Sequence, residues 1–480
     1  MLTVLLLLSC VSLASADAPA CPNGSISFDP PPNTNDSIWY PKPFSTDIPV
    51  FPANFKCDYQ INVPQGWYAQ IQLSVMATSS PTAPVQVIDQ SERSEGVFNT
   101  SQEYFYFIAS GGRIKLLTES SQLSFGFSVI WKQYTTTKPY KLTVSRSYPQ
   151  PTTMELTSRP ILITASTQVS VTIIQPDPNY PLQNLRRAIF LDGSNLNTSK
   201  SIGNAYQLLS ANTQFVSSGN TMSVVLLGIF NAKINPTLLF QDYANMQGVK
   251  NFKATECDSC PGFTMDASNG ITVYQISNKN SGYVLQNVTG SGKLDIYVGT
   301  VTPGKSNLIA SYDLSANNQL SLPQLFLGTF TTFVMSSGNA TVSRSDTPNA
   351  YRVNVPFGRN AIISSRNYGT PDFQSSTQQV IAPDTAKFRY SLSSLNFVSH
   401  STLKVIGSAS DGRQTYFKTY DASNPPKLNT YFKFYGKGMD VVFDSIGDNT
   451  GFLMQYTVEK SATGIQFLLM CAAMLILYVF

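Results

Sequence analysis

Histidine is nearly absent from this chain: 480 residues hold one, His400. A Ser-His-Asp site would have to use it, and no Gly-x-Ser-x-Gly elbow surrounds any serine. The plain reading of His400, beside Ser401 in what reads as an ordinary strand, is an exposed or edge-strand histidine. A lone imidazole with distant cysteines also falls short of the ligand number a zinc site needs. Charge is scarce too. Asp, Glu, Lys and Arg make up 12% of the chain, and the net charge is +4. No basic block interrupts the sequence, which argues against a nucleic-acid partner. The 28 acids form no cluster. Paired carboxylates for glycoside hydrolysis need meet only in space, so spacing alone does not remove them. No catalytic residue, cofactor or metal ligand is expected.

Long apolar runs are missing except at the two ends. Residues 2–8 are almost wholly apolar, and Ala14-Ser15-Ala16 has the small-x-small form of a signal-peptidase site. The run is too short to span a bilayer. Cleavage after Ala16 and a mature chain from Asp17 are expected, with a buried N-terminal strand as the bland alternative. At the other end, residues 465–480 carry a single polar residue, Gln466. A spanning helix needs about 20 apolar residues and usually cytoplasmic Lys or Arg. Ser461, Ala462, Thr463 and Gly464 just upstream are small enough for attachment of a glycosylphosphatidylinositol (GPI) anchor. Ser461 is the expected attachment residue, because an earlier one would cut into the last strand. A single-span anchor is the alternative. The chain is thus expected on the outer face of the plasma membrane, raft membrane included, by way of the secretory pathway.

Cysteine is sparse as well. Of six, Cys10 and Cys471 leave with the processed ends. Four cysteines in a secreted chain allow three pairings. The expected ones are Cys21–Cys57 and Cys257–Cys260. The first would close a Pro-rich segment onto the start of the first clear strand; a loop of that length stabilises by roughly 4 kcal/mol in the chain-entropy model. Cys257-Asp258-Ser259-Cys260 has redox spacing, but its flanks favour strands and turns over the helix N-terminus that lowers a thiol pKa. A small structural disulfide loop is the expectation.

What the chain has in quantity is polar β sequence. Gly and Pro number 29 each and punctuate it throughout. Tyr59, Ile61 and Val63 alternate with polar neighbours; Pro64 and Gly66 break the ladder; alternation resumes at Ala69, Ile71, Leu73 and Val75, with Gln70, Gln72 and Ser74 facing water. This is a hairpin whose first strand starts at Cys57. The phrase returns: Tyr351, Asn354, Val355, Pro356 and Gly358 repeat Tyr59, Asn62, Val63, Pro64 and Gly66, and Val353 replaces Ile61. Aromatic strands follow each phrase, at Tyr104 to Phe107 and Tyr431 to Phe434. Closing strands follow those, at Gly126 to Trp131 and Gly451 to Tyr456. Two copies of one β module at opposite ends is the reading. Between them, strands are expected at residues 161–174, 222–229, 271–276, 294–298 and 325–334, and a helical turn or strand at 185–191. The expected division is 17–135, 136–255, 256–349 and 350–460, then the tail 461–480.

Cys57-x-Tyr-x-Ile-x-Val-Pro-x-Gly, with Ile71, Leu73 and the closing Phe125-Gly126-Phe127, resembles the CUB domain, and more narrowly the nematode CUB-like domain family. Val353, Val355, Pro356, Gly358 and the end at Val441, Phe443, Phe452 and Tyr456 show the same frame. Cys21 and Cys57 would match the first CUB disulfide. The second CUB disulfide is missing from copy one, copy two has no cysteine, and no acidic trio for calcium can be placed. The resemblance implies all-β architecture, tandem antiparallel β-sandwiches. It also implies secreted or surface-attached proteins associated with innate immune defence against microbes.

N-glycosylation sequons stand at Asn23, Asn35, Asn99, Asn197, Asn287 and Asn339. Trp39-Tyr40, Trp67-Tyr68 and the run from Tyr104 to Phe107 are either core aromatics or rings exposed for stacking on sugars. The functional expectation is a non-enzymatic surface protein that binds an extracellular protein or glycan through its loops. A secreted glycan hydrolase and a structural coat glycoprotein are the competing readings.

Overall fold

The computed structural model describes residues 20–461, apart from 34–35, 43–47, 78–81, 121, 135–136, 156, 158, 177, 229–236, 258–261, 279–281, 346–351, 372–374, 399 and 446. The expected leader, the apolar tail, Asn35 and Cys260 lie outside the described residues. What is described is almost wholly strand, as the alternation predicts.

The first 130 or so residues form two facing five-stranded sheets. In one, Lys56–Asn62 lies between Ser25–Phe28 and Gly111–Leu117, followed by Val85–Ile88 and Ser94–Val97. In the other, Leu123–Gln133 pairs with Ile38–Tyr40, Val50–Phe51 and Trp67–Ala77, and the last of these with Thr100–Ile108. The inward side chains of the hairpin, Tyr59, Ile61, Ile71, Leu73 and Val75, meet Phe125, Phe127, Val129 and Trp131 in one core. Trp131 is polar at one atom only, and its indole N–H donates to the Asn62 carbonyl at 2.8 Å. The N-terminal segment holds more strand than its prolines suggest. Cys21 is bonded to Cys57, and four residues on Ser25–Phe28 runs parallel to Lys56–Asn62 with Ser25 opposite Asp58. The crosslink thus brings an otherwise weak strand to the sheet edge.

The middle of the chain is not cut at residue 255. Strand Val249–Cys257 runs across that point and lies parallel to both Val169–Gln175 and Ile271–Asn278, inside one nine-stranded sheet. Two cores flank this shared sheet. One is built from Val169, Val171, Phe190, Leu208 and Phe240. The other is built from Tyr283, Leu285, Ile296, Phe333 and Val342. Residues 185–191 turn out to be both alternatives: a 3-10 helix Leu182–Arg187 and then a strand Ala188–Asp192. One α-helix, Ala205–Ala211, was not anticipated. Asn204 and Gln207 close it with a capping box, a signal present in the sequence.

The C-terminal segment keeps the hairpin frame but not the two separate sheets. Gly358 takes the same left-handed turn conformation as Gly66 (φ 85° and 81°). In both copies the closing strand pairs with the strand after that turn. Here, however, the seven strands form one sheet around one core. Strand Ser376–Leu395 explains this: it is 20 residues long, and its register shifts between Ile381 and Ala386. A break of that kind bends a strand, so one strand serves two sides of the core. Arg352–Asn354 pairs with it in parallel, one of several parallel pairs that a purely antiparallel reading did not contain.

Candidate functional site

The outward face of Trp67–Ala77 and Thr100–Ile108 is not bathed in water along its length. Tyr68, Ile108 and Tyr134 are buried against Ile189, Leu191, Val225 and Leu227 of the following segment. This apolar contact is one half of a seam between the first sandwich and the rest. The other half is polar and centred on Arg186, whose side chain is 6% exposed. Its guanidinium donates to Glu95, and to Glu103 at 2.8 Å, and it stacks over the Phe105 ring at 4.1 Å and that of Tyr206 at 4.9 Å. Burial works against its charge, but the two carboxylates outweigh burial and hold its pKa above the ordinary arginine value. Further along, Gln207 donates to Asp89 at 2.7 Å and accepts from Arg93 at 3.2 Å. Gly203 must be glycine there: φ is 147°, and a Cβ would lie 2.7 Å from the Phe215 ring and collide with Arg93.

Beside the seam lies a cleft of about 440 Å³. Its floor is the same sheet face at Gln70, Gln102, Tyr104, Tyr106 and Lys132, and Glu103 also lines it. Gln70 and Tyr106 stand directly opposite each other in the ladder. Its roof is the 3-10 helix, through Gln183, Asn184 and Arg187. Alternation predicted Gln70 and Ser74 facing water. Instead Ser74 is buried and donates to the Ser101 carbonyl at 2.7 Å, and the Gln70 Oε1 atom is buried without a hydrogen-bond partner. Both results follow from the covering of this face. Tyr106 Oη and Gln70 Oε1 both border Gly228, 3.1 and 3.4 Å from where a Cβ would stand. Burial, countered by Arg187, pushes the Tyr106 phenol up to about 12. Gln102 donates to the Tyr104 hydroxyl at 2.6 Å, and Tyr104 is 38% exposed.

Among the described residues the cleft is lined by one carboxylate, Glu103, and Arg186 engages it. Glycoside hydrolysis requires two. A second hollow, of about 510 Å³, is lined by Glu155 and Glu256, both exposed. Their strands are three places apart in the sheet, about 14 Å at the usual strand spacing. Among the described residues no three His, Cys, Asp or Glu side chains group as a metal site.

The other expected residues are dispersed. His400 is not in a strand: it is an exposed turn residue with φ 72°. Cys257 is disulfide-bonded, to a residue outside those described. Asn23, Asn99, Asn197, Asn287 and Asn339 are all exposed. Of the aromatics, Tyr40 packs with Tyr59 and Phe127 against the first core, while Tyr104 and Tyr106 reach the cleft. Ser461 directly follows the last strand, Phe452–Lys460. No described helix is long and apolar enough to cross a membrane.

Residues 16–135, the sandwich that supplies the cleft floor, match the family of the CUB-like domain. The chain carries a CUB-like domain. Beyond it, residues 143–227 and 244–347 match two domains of unknown function, DUF7592 and DUF7591. Those two matches share the nine-stranded sheet, since its strands come from both. Similar solved structures include the CUB1-EGF-CUB2 domain of human MASP-1/3, at 10% identity and TM-score 0.17 over 42% of this chain and 100% of that one. The CUB1-EGF-CUB2 domains of rat MASP-1 stand at 10% and 0.17 over 45% and 99%. A chain of Sulfolobus Turreted Icosahedral Virus stands at 8% and 0.15 over 88% of each. No curated protein matches the chain. The CUB-like domain points to an extracellular binding protein.

Proposed function

We propose that this protein is a non-enzymatic, GPI-anchored binding protein of the cell surface, and that the cleft beside the CUB-like seam is where it takes its ligand. The observation that carries the reading is the combination in the cleft. Amides and tyrosines of a sheet face and of the 3-10 helix line it, and the one carboxylate among its described lining residues is engaged by Arg186. Such a site is made to hold a polar molecule, not to transform it. Ser461 stands at the end of the last strand, where a lipid anchor would tether the ectodomain with the cleft accessible from outside. The resemblance to the nematode CUB-like family supports a role in innate defence at that surface.

The test is phosphatidylinositol-specific phospholipase C applied to intact cells that display the full chain. Release into the medium is expected. Protein that remains on the cells overturns the anchor. Loss of microbial resistance on deletion would support the defensive role; unchanged resistance would remove it.

A further inference from the structure

We propose that the outer face of the C-terminal sheet around Tyr431, Lys433 and Tyr435 lies on the phospholipid headgroups of the membrane that carries the chain. The inference goes beyond the cleft and rests on the tethered reading of the C-terminal end. Strand register fixes the face. Phe432 and Phe434 pack on the C-terminal core, so Tyr431, Lys433 and Tyr435 beside them point away from it. Lys387 stands opposite Tyr435, and Arg389 opposite Lys433. Both reach Glu459 on the next strand, at 2.8 and 3.4 Å, so three neighbouring strands present one outward face. Its aromatics are uncovered. Tyr431 is 60% exposed and Tyr435 54%, the two highest values for a large apolar side chain among the described residues. The Arg389 guanidinium stacks on the Tyr431 ring at 4.8 Å and keeps it on this face.

Three observations name the occupant. The first is where the chain leaves the fold. The last strand ends with Lys460 opposite Ala386, which is opposite Gly436, the neighbour of Tyr435. Tyr435 thus stands about 10 Å from that end, two strand spacings away. Residues 465–480 hold one polar residue, and the four residues 461–464 before them reach about 14 Å when fully extended. A lipid on Ser461, or a span through 465–480, keeps this corner of the sheet beside the bilayer. The second is charge. Lys387, Arg389, Lys433 and Lys460 stand on the face or at its edge, against two acids, Glu459 and Asp384. Lys387 and Arg389 share Glu459, while Lys433 and Lys460 are exposed. Flexible lysine stems reach the phosphates of headgroups, and tyrosine suits that layer with an apolar ring and a wet hydroxyl. The third is glycosylation. None of the six sequons lies beyond Asn339, so this sheet offers no acceptor for a glycan that would hold lipid away. A protein partner would use exposed tyrosines too, but the bilayer is the surface that the chain itself brings here.

The test places a reporter on the face. The full chain, purified from cells that display it, is reconstituted into phosphatidylcholine vesicles whose headgroups carry a nitroxide. Tyr435→Trp is expected to lose at least half of its added fluorescence to the nitroxide. Phe98→Trp, at a side chain 52% exposed beside the sequon Asn99, is expected to lose less than a tenth. Adding Tyr431→Ser and Lys433→Glu to Tyr435→Trp should cut the quenching at least twofold. All four positions are exposed, and circular dichroism checks that each variant folds. Equal quenching at positions 435 and 98, no quenching at 435, or quenching unmoved by Tyr431→Ser with Lys433→Glu would overturn the proposal and leave the face to a protein partner. The reporter reads the face whatever holds the chain. Phospholipase resistance with position 435 quenched would remove the GPI anchor and keep the face on the membrane; release with position 435 unquenched would do the reverse.

Discussion

Arg186→Ala should uncouple the CUB-like domain from the segment that follows it. The guanidinium is the shared partner of Glu95 and Glu103, whose side chains are 25% and 19% exposed. Removing one partner of a buried ion pair costs about 3–5 kcal/mol, because the remaining charges stay desolvated. Here two carboxylates would be left beside each other, which adds repulsion, while their residual exposure lets water relieve part of it. Stacking over Phe105 at 4.1 Å is also lost, worth on the order of 1–2 kcal/mol when desolvated. A net loss of about 3–5 kcal/mol is expected. For a domain of this size that lowers a melting transition by on the order of 10 °C. Scanning calorimetry should show the first transition splitting from the rest. Arg186→Met combined with Glu95→Gln and Glu103→Gln should recover most of the loss, since a neutral set of similar volume carries no stranded charge. Arg186→Lys should recover less, lacking the planar fork that serves two carboxylates and two rings at once. A melting shift under about 2 °C for Arg186→Ala would refute the reasoning, because the seam would then be held by its apolar half alone.

Four further outcomes are expected. Cys57→Ser should destabilise the CUB-like domain by roughly 4 kcal/mol through the freed loop, read by urea unfolding. Arg359 is 1% exposed; it donates to the Pro323 carbonyl and the Tyr456 hydroxyl, and its Nη1 atom is buried without a partner. Arg359→Met should therefore be neutral or stabilising, within about 1 kcal/mol or better, and a large loss of stability would count against it. Asp295 is opposed by burial, but hydrogen bonds from Ser311, Lys305 and Lys293 outweigh it and lower its pKa. Its stabilisation is present above the ordinary aspartate pKa and is lost as pH falls through the depressed folded value, so Asp295→Asn should flatten the acid limb of the stability profile. Tyr106 is the reverse case. Its phenol sits near 12, above the unfolded value of about 10, so the neutral form is stabilised below pH 10 and the benefit fades as pH rises through 12. Tyrosinate absorbance should lose a late step in Tyr106→Phe.

The hairpin from Tyr59 to Val75 and the closing strand were legible because alternation is a local property. Each side chain's face follows from its neighbour's, and Pro64 and Gly66 mark the turn. Cys21 and Cys57 were legible from position. The seam was not. Arg186 meets Glu95 and Glu103 across 91 and 83 residues, and no local pattern distinguishes it from Arg187 beside it. For the same reason Gln70 and Ser74 read as solvent-facing: period-two patterning tells which residues share a face, not what covers that face. The cut at residue 255 failed because a strand held in parallel on both sides needs partners distant in sequence, so a turn signal near Cys257 looks like a boundary. His400, read as an exposed or edge-strand histidine, is exposed but stands in a turn just before strand Thr402–Ser408. The helix at Ala205–Ala211 was missed although Asn204 and Gln207 spelled out its cap.

The seam and the cleft are one construction. A single sheet face carries Tyr68 and Ile108 in its buried rows and Gln70 and Tyr106 in the adjoining row, so the polar floor is fixed wherever the apolar contact is fixed. The roof belongs to the 3-10 helix whose last two residues are Arg186 and Arg187. One of these bolts the helix to Glu95 and Glu103 of the CUB-like domain; the next faces the cleft. The distance from floor to roof is therefore set by the same ion pairs that hold the domains together. A ligand meets a preformed cleft and spends little binding energy on ordering it. It follows that a variant which loosens Arg186 should weaken ligand binding without touching any lining side chain. A lining variant such as Lys132→Gln should weaken binding and leave the melting transition in place. If both kinds of variant shifted stability and binding in step, the cleft would be no more than a by-product of docking.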